Sequence, residues 1–245
     1  MRIPRLYLDT PLHSGATLPL PEERLNYLKN VLRLRDGFSV RVFNGRDEEA
    51  SATLHLDRRQ GHLTVGEVVH RSVESPLHIH LLQALGKGEK MDWVIQKAVE
   101  LGVHRLTPLS TGRSVVELSD ERAERRQQRY RDIAISACEQ SGRNTLPRID
   151  PIHSLAEALD ATEAELRWIL HPATTPPPSM PAARPRSAAI LIGPEGGFSA
   201  AEVTQAAAAG FIPVTFGPRI LRTETAPIVA LTILQQRFGD FAAPE

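Results

Sequence analysis

The sequence has little of several residue types, and each shortage limits what the chain can do. Cys138 is the only cysteine in 245 residues, so one chain can form neither a disulfide framework nor a thiolate metal cluster. The nine histidines form no helical metal pair, and His78 and His80 alternate on a predicted strand, which favours a structural role. The N-terminus lacks an apolar signal core, and no apolar run is long enough to span a bilayer. We therefore expect a cytoplasmic protein that binds neither a metal ion nor a membrane.

A net charge is also missing, although charge of one sign clusters locally. The 29 Lys and Arg residues balance 29 Asp and Glu residues, which falls short of the basic excess of a dedicated nucleic-acid binder. Between Arg24 and Arg46, six basic residues accompany the single acid Asp36, whereas from Ile149 onward six basic residues face ten acidic ones. This asymmetry predicts that one surface near the front of the chain contacts a polyanion.

Residues 1–72 have the pattern of a small β-rich, barrel-like module with one helix. The helix is predicted over Glu22–Leu34, and Asn44-Gly45 predicts a hairpin turn. The predicted strands are Arg5–Leu8, Phe38–Phe43, Ala50–Leu56 and Leu63–Val69. Lys29, Arg33 and Arg35 lie at the edges of the helix. Their spacing fits a solvated helix face and a phosphate-binding face equally well.

Strands and helices alternate from Ser75-Pro76 onward, which is typical of a mostly parallel sheet covered by helices. We therefore predict a second domain over residues 73–245. Its predicted strands are Leu77–Leu85, Arg105–Leu109, Leu166–Leu170, Ala188–Ile192 and Val214–Phe216, and its main predicted helices are Met91–Leu101, Asp120–Ser141, Leu155–Leu159 and Pro227–Phe238. The last helix is so apolar that it should be buried, either in the core or against a second subunit. The proline-rich segment 172–186 reads as an irregular loop.

A glycine-rich segment follows one of the buried-strand candidates. Residues 190–199 read I-L-I-G-P-E-G-G-F-S, and Ser199 with Glu202 has the spacing of a helix capping box. The glycines permit backbone angles closed to other residues and let a ligand approach the main chain. In an open α/β sheet a ligand binds beyond the carboxyl end of a strand, at such a turn. A tight turn without a ligand is an equally good interpretation of this segment alone.

A second glycine-led segment precedes the last helix and changes that balance. Residues 217–226 read G-P-R-I-L-R-T-E-T-A and again link a strand to a helix. Two successive strand–loop–helix units place two loops side by side at one edge of the sheet. The pair therefore predicts a binding cleft more strongly than either loop does.

Four motifs in this order resemble the knotted SPOUT methyltransferases, and most closely the ribosomal RNA small subunit methyltransferase E family. They are Q-K-A-V-E-L-G-V at residues 96–103, E-Q-S-G-R at residues 139–143, and the two glycine-led segments. The resemblance spans nearly the whole chain, with the front module similar to that family's PUA-like RNA-binding domain. Two departures are Asn26-Tyr27, where the family often has histidine, and Arg129-Tyr130, where it usually has arginine–tryptophan.

The resemblance implies an α/β fold with a trefoil-knotted SPOUT domain, a homodimer, and S-adenosylmethionine as the cofactor. The implied reaction is methylation of uridine N3 in 16S ribosomal RNA of the small ribosomal subunit. The implied cofactor-binding residues are Leu170, Gly193, Pro194, Glu195, Gly196, Gly197, Gly217, Ile220, Leu221, Arg222 and Thr223. Arg222, Glu224 and, from a partner subunit, Arg143 are candidates for catalysis, while Lys29, Arg33, Arg35, Lys97, Arg113 and Arg143 are candidates for RNA contact. Ribose 2′-O methylation and RNA binding without catalysis remain alternatives.

Overall fold

The computed structural model describes residues 3–57, 60–86, 90–113, 120–171 and 183–241, and the chain forms two compact units. The N-terminal unit comprises Met1–Glu74 together with Cys138–Leu146, and the C-terminal unit comprises Ser75–Ala137 together with Pro147–Glu245. The sequence patterns did not predict that Cys138–Leu146 belongs to the N-terminal unit. Most of the proline-rich segment lies outside the described residues.

The N-terminal unit is built on a mixed sheet, which confirms the prediction of a β-rich module. In the described part of the chain the sheet has five strands in the order β1-β3-β4-β5-β2, parallel between β1 and β3 and antiparallel elsewhere. The strands are β1 (Arg5–Tyr7), β2 (Thr17–Pro19), β3 (Ser39–Phe43), β4 (Glu48–Leu56) and β5 (Gly61–His70). Their inward side chains, including Leu6, Val42 and Leu63, form the apolar core of this unit. Strand β2 was not predicted, because three residues ending in proline carry almost no periodic signal.

The predicted helix at Glu22–Leu34 is too long at its C-terminal end. Helix α1 covers Glu22–Asn26 and continues as one π-helical turn over Tyr27–Val31. The π turn places Leu28 in the core, leaves Val31 exposed, and is followed by Arg33 in the left-handed region with φ of 54°. A wider turn of this kind shifts the buried face, which a regular 3.6-residue period cannot anticipate.

The C-terminal unit confirms the α/β prediction of a parallel sheet with helices. Its described strands run in the order β12-β10-β11-β6-β7-β8, with β9 paired to β7, and every pair is parallel. The strands are β6 (His78–Ala84), β7 (Arg105–Ser110), β8 (Arg148–Ile149), β9 (His153–Ser154), β10 (Leu166–Leu170), β11 (Ser187–Ile192) and β12 (Ile212–Val214), and the helices are α2 (Lys90–Glu100), α3 (Asp120–Ser141), α4 (Leu155–Asp160), α5 (Ala200–Ala208) and α6 (Thr225–Phe238). No helix in the described ranges is long and apolar enough to cross a membrane.

Strand β12 corrects the predicted strand at Val214–Phe216, which was placed two residues too late. Trp168 of β10 pairs with Ile212, and Leu170 pairs with Val214, where the ladder ends. The ring of Phe216 instead packs edge-on against Trp168, with 5.9 Å between ring centroids. Because β12 ends at Val214, residues 215–224 form the loop that leads to α6.

Helix α6 lies against the sheet with one face in the core of its unit. Ala230, Leu231 and Leu234 are fully buried, and the helix packs against α2, β6 and β11. Its buried Gln235 accepts a hydrogen bond from Ser75 Oγ at 2.7 Å and donates one to the Leu101 carbonyl at 2.8 Å. Ile228, Val229 and Ile233 are only half-buried. The core location is thus confirmed for one face, and contact with a second subunit stays a prediction.

Candidate functional site

A large cleft opens where three neighbouring parallel strands end. Strands β10, β11 and β12 all finish at the same edge of the sheet, and the loops that follow them enclose a cavity of about 1260 Å³. The cavity is lined by Lys90, Leu170, His171, residues 192–197, residues 214–223 and Ala226. Its position beyond the carboxyl ends of parallel strands is the usual place for a ligand in this class of fold.

The first loop of the cleft, residues 193–197, is a tight glycine turn. Gly197 has a φ of +65° and donates a backbone hydrogen bond to the Pro194 carbonyl at 2.9 Å. A side chain at Gly193 would place its Cβ only 3.2 Å from the Phe198 ring. The loop runs directly into α5, whose first turn is closed by the predicted capping box of Ser199 and Glu202. The main chain therefore faces the cleft with few side chains in between.

The second loop is joined to the first by a buried hydroxyl group. Thr223 donates from Oγ1 to the Gly193 carbonyl at 2.7 Å, and it accepts a hydrogen bond from Gln83 Nε2 at 3.1 Å. Gln83 lies on β6 and is almost completely buried, as is Thr223. The hydroxyl thus connects β6 and both cleft loops at the floor of the site.

Three charged side chains meet at one side of the cleft. Lys90 Nζ, at the start of α2, lies 2.9 Å from Glu195 Oε1 of the first loop and 3.3 Å from Glu224 Oε2 after the second loop. The hydrogen bond with Glu195 is the main cause that raises the pKa of the Lys90 ammonium, and the nearby Glu224 carboxylate raises it further. We call this group the carboxylate clasp: Lys90, Glu195 and Glu224.

Residues that follow β7 make further contacts with the first loop and the start of α5. Arg113 donates from Nη1 to the Gly196 carbonyl at 2.7 Å, and the Gly112 amide donates to Glu202 Oε1 at 3.0 Å. Although burial acts to raise the pKa of Glu202, the donors of Ser199 and Gly112 lower it below its ordinary value. The glycine loop therefore contacts two cationic side chains, Lys90 and Arg113.

The rim of the second loop combines exposed arginine with an exposed aliphatic side chain. Arg219 and Arg222 are exposed, and Ile220 between them is 87% exposed. The Arg222 carbonyl accepts hydrogen bonds from the Thr225 and Ala226 amides, each at 2.9 Å, which fixes its backbone at the start of α6. Two guanidinium groups at this rim can bind an anion or stabilise negative charge that develops on a bound molecule.

The structure gathers some of the sequence-based candidates and separates others. All predicted cofactor-binding residues line the cleft, and Glu224 borders it through Lys90. Arg143 instead belongs to the N-terminal unit, where it is buried and donates from Nε to Glu74 Oε1 at 3.0 Å.

The predicted RNA-contact residues differ in how far their cations are already engaged. Lys29 donates to the Asp57 carbonyl at 2.7 Å, and Lys97 pairs with Glu100 one helical turn away at 2.8 Å. Arg113 is exposed but holds the Gly196 carbonyl, whereas Arg33 and Arg35 are exposed on the N-terminal unit. The RNA-binding role of these residues stays a prediction.

Sequence reasoning missed several residues that line or support the cleft. Lys90, His171 and Phe216 line it, and Gln83 supports it from below. His171 could have been found, because it directly follows the strand that ends at Leu170. Lys90 and Gln83 carry no such local signal, since only the tertiary fold brings their segments to the loops.

The arrangement favours binding and orientation over covalent catalysis. The cleft offers apolar walls, many backbone polar groups, and a few charged side chains at its edges. In the described ranges no group of three or more His, Cys, Asp or Glu side chains could hold a metal ion. A cleft of this kind suits a ligand with a flat apolar part and polar substituents that the backbone recognises.

Comparison with known proteins identifies two matching family models. Residues 73–235 match the RNA methyltransferase domain family, and residues 20–65 match the RNA methyltransferase PUA domain family. The ribosomal RNA small subunit methyltransferase E of Buchnera aphidicola from Schizaphis graminum is 35% identical, covering 98% of this chain and 99% of its own. The protein of the same name from Bacillus subtilis is 31% identical over 91% of both chains.

A solved structure is also similar to this chain over nearly its whole length. The ribosomal RNA small subunit methyltransferase E from Neisseria gonorrhoeae, in a crystal structure bound to S-adenosyl methionine, superposes with a TM-score of 0.90. It is 38% identical, and the match covers 98% of this chain and 100% of that chain.

Proposed function

The chain belongs to the ribosomal RNA small subunit methyltransferase E family, and we propose that it methylates N3 of a uridine in 16S ribosomal RNA, using S-adenosylmethionine. One observation carries the proposal: both glycine-led segments line a single cleft at the ends of β10, β11 and β12. The similar Neisseria protein binds S-adenosyl methionine, which supports the same cofactor here.

The residues of the cleft fit this cofactor. Backbone groups of residues 193–197 and 217–223 would hold its adenosine part, with Leu170 as an apolar wall. The carboxylate clasp carries one positive and two negative charges, which suits a cationic ligand. When bound, the cofactor supplies an electrophilic methyl group on its sulfonium.

The protein has two tasks in this reaction: to align the base and to manage the N3 proton. Uracil N3 is protonated at neutral pH, so the barrier falls if that proton is removed or the resulting anion is stabilised. We assign the stabilising role to Arg222, whose exposed guanidinium stands at the cleft. Glu224 is the candidate proton acceptor, and its alternative role is that of a carboxylate favoured by the dipole at the start of α6.

The partner-subunit role of Arg143 has less support. Its guanidinium is buried and paired with Glu74 in the N-terminal unit, which favours a structural role. Arg222 is therefore the stronger of the two arginine candidates. A homodimer remains part of the proposal, because the half-buried Ile228, Val229 and Ile233 would gain cover from a second copy.

A trefoil knot in the C-terminal unit is likewise part of the proposal. The bond from Thr223 to the Gly193 carbonyl, together with that from Gln83, supports a second loop drawn tightly against the first. Periodicity cannot predict such threading, since true knots are very rare.

Access to uracil N3 sets a requirement on the RNA. Watson–Crick pairing hides this atom, so the target must be unpaired or splayed out of its helix. We propose that the PUA-like module over residues 1–72 contacts the phosphates with Lys29, Arg33 and Arg35, of which the two arginines are exposed. Lys97, Arg113 and Arg143 remain lesser candidates. A ribosomal RNA substrate places the protein in the cytoplasm with the small ribosomal subunit.

Mass spectrometry of digested RNA tests the proposal. Small-subunit particles and naked 16S RNA, each incubated with the pure protein and S-adenosylmethionine, are expected to yield 3-methyluridine in at least one case. A 2′-O-methylated nucleoside would replace the proposed position with the ribose alternative. Absence of any methylated nucleoside, with no cofactor binding by calorimetry, would favour RNA binding without catalysis.

A matched pair of variants tests the catalytic assignment. Arg222→Gln is expected to lower the rate of methyl transfer by about 100-fold, as removal of one charge-stabilising donor typically does. The neighbouring Arg219→Gln is the control, because its side chain lies on the same rim and carries the same charge. Equal losses in both variants would mean that Arg222 only adds to general RNA attraction.

A further inference from the structure

The carboxylate clasp joins three segments that are far apart in the sequence. Lys90 begins α2, Glu195 lies in the first cleft loop, and Glu224 follows the second. The Lys90 side chain is 33% exposed, and the Glu195 and Glu224 side chains are 36% and 20% exposed. The three side chains are therefore partly buried at the edge of the cleft.

Both carboxylates depend on this ammonium in a specific way. Glu195 accepts an aligned hydrogen bond from Lys90. Glu224 Oε2 is buried and accepts no aligned hydrogen bond from the residues that the structure describes. It contacts Lys90 as an ion pair. Removal of the ammonium would leave a buried carboxylate oxygen beside a second carboxylate, and the two loops would repel each other.

The end of β6 leaves room for this arrangement. A Cβ at Gly86 would lie 3.2 Å from Glu195 Oε1 and 3.6 Å from Thr223 Cγ2. The glycine thus lets the Glu195 carboxylate and the second loop approach the segment that leads to α2. The two loops are thus linked both by the hydrogen bonds of the Thr223 hydroxyl and by the ion pairs of the clasp.

We propose that Lys90 is a positioning residue that holds the two cleft loops together through Glu195 and Glu224, so that the cofactor meets a preformed site. The proposal rests on the proposed function for the identity of the cofactor, but the degree to which the two loops are ordered is a property of the ligand-free protein. Glycine-rich loops have little internal restraint, so one shared ion pair has a large effect on the fraction of closed loops.

Amide hydrogen exchange of the ligand-free protein is the first test. In Lys90→Met, the amides of the non-proline residues in 193–197 and 217–224 are expected to exchange about five-fold faster than in the original protein, as loss of a partly exposed ion pair implies. Lys90→Arg should return to within about two-fold of the original rates, because arginine keeps the charge. Unchanged exchange in Lys90→Met would overturn the proposal.

Arg125→Met is the matched control for loss of a paired cation. Arg125 forms an ion pair with Glu121 on the exposed surface of α3, away from the lining of the cleft. This variant should leave exchange in both loops unchanged. Equal acceleration in both variants would show a general loss of stability and would also overturn the proposal.

Calorimetry with two ligands separates loop positioning from simple charge attraction. Lys90→Met should weaken binding of S-adenosylmethionine and of the neutral S-adenosylhomocysteine by the same factor, about five-fold. A change for the sulfonium ligand alone would mean that Lys90 acts only through its charge, against the proposal. If the original protein bound neither ligand, the cofactor assignment would fail, while the exchange data would still decide the role of Lys90.

A double-variant cycle identifies the partner. Glu195→Gln should reproduce the exchange and binding changes of Lys90→Met, and the combined variant should add little to either. Additive effects of the two substitutions would show that they act independently and would remove Glu195 from the clasp.

Discussion

Thr223 shows how one side chain can set the shape of a binding site without any charge. Its hydroxyl donates to the Gly193 carbonyl at 2.7 Å and accepts from Gln83 Nε2 at 3.1 Å. Threonine is suited to this place because one oxygen can both donate and accept. Thr223 is among the residues that the family resemblance implies for cofactor binding, but nothing in the local sequence pattern indicated Gln83 as its partner.

Replacement of Thr223 by valine keeps the shape of the side chain and removes the hydroxyl. We expect a loss of about 1 to 3 kcal/mol in the free energy of unfolding, since the buried Gln83 side chain loses its acceptor and the Gly193 carbonyl loses its donor. Cofactor affinity, measured by calorimetry, should also fall, because the two loops lose their link.

Thr204→Val is the matched control for this substitution. Thr204 lies on α5, is exposed, and donates from Oγ1 to the Ala200 carbonyl at 2.9 Å. Its loss should cost less than about 0.5 kcal/mol and leave cofactor affinity unchanged. If the two variants behaved alike, the Thr223 hydroxyl would not be what joins the loops.

His80 is a buried residue of the sheet whose protonation state is set by its neighbours. Thr107 donates from Oγ1 to Asp150 Oδ2 at 2.5 Å, so it must accept from His80 Nε2 at 2.7 Å. Burial, together with the charge of Arg105, lowers the pKa of His80 to about 3. The structural role predicted for this histidine agrees with its place in the core of the sheet.

This burial predicts a dependence of stability on pH with a definite sign. In the unfolded chain His80 takes up a proton below about pH 6.5, whereas in the folded protein it stays neutral down to about pH 3, so stability falls on acidification. Between about pH 7 and about pH 5 the loss should approach about 2 kcal/mol in urea unfolding. His80→Gln should flatten this slope. An equal slope in both proteins would assign it to other groups.

At the scale of elements, the sequence predicted best where the signal is local. The predicted capping box of Ser199 and Glu202 rests on residues three apart and forms as a hydrogen-bonded pair. Ser154 and Glu157 form a second capping box, which was not predicted although it has the same spacing. Helix α3 occupies the predicted Asp120–Ser141. The errors fall where tertiary contacts decide: the π turn after Asn26, and β12, whose register is set by pairing with Trp168.

The two capping boxes offer a matched comparison between helix stability and cleft function. Ser199→Ala and Ser154→Ala should each cost about 1 kcal/mol in the free energy of unfolding. Only Ser199→Ala should weaken cofactor binding, because Glu202 also accepts the Gly112 amide beside the glycine loop. A loss of affinity in Ser154→Ala of the same size would show that helix fraying in general, and not the cleft, is responsible.

At the scale of the whole molecule, the chain is less modular than its sequence indicates. Composition and pattern change near Ser75, and the cleft-forming half begins there, as the alternation of strands and helices predicts. The N-terminal unit nevertheless includes Cys138–Leu146, which arrives from helix α3. The motif E-Q-S-G-R falls in this segment, so its resemblance to a family motif could be recognised while its contacts could not.

The contacts of this segment are polar and buried. Asn144 is 1% exposed, accepts from Arg5 Nη2 at 2.5 Å, and donates to the Arg71 carbonyl at 2.7 Å. Glu139 accepts from the Tyr7 amide at 3.0 Å. Arg5 also pairs with the buried Glu49, a carboxylate whose pKa is lowered because Arg5, Arg41 and Asn144 together outweigh its burial.

A fragment of residues 1–74 should therefore not fold as the intact unit does. Without residues 138–146, the Tyr7 amide and the Arg71 carbonyl lose their hydrogen-bond partners and Arg5 loses Asn144, and each such bond contributes about 0.5 to 1.5 kcal/mol. Summed, these losses are a substantial share of the stability of a small domain. We expect no cooperative transition in urea unfolding and poorly dispersed amide signals in NMR spectra.

Fusion of residues 138–146 to the fragment through a flexible glycine–serine linker should restore a cooperative transition and well-dispersed amide signals, whereas the same fusion with Asn144→Ala should not. A cooperative transition in the bare fragment would show that the first strands fold without this segment.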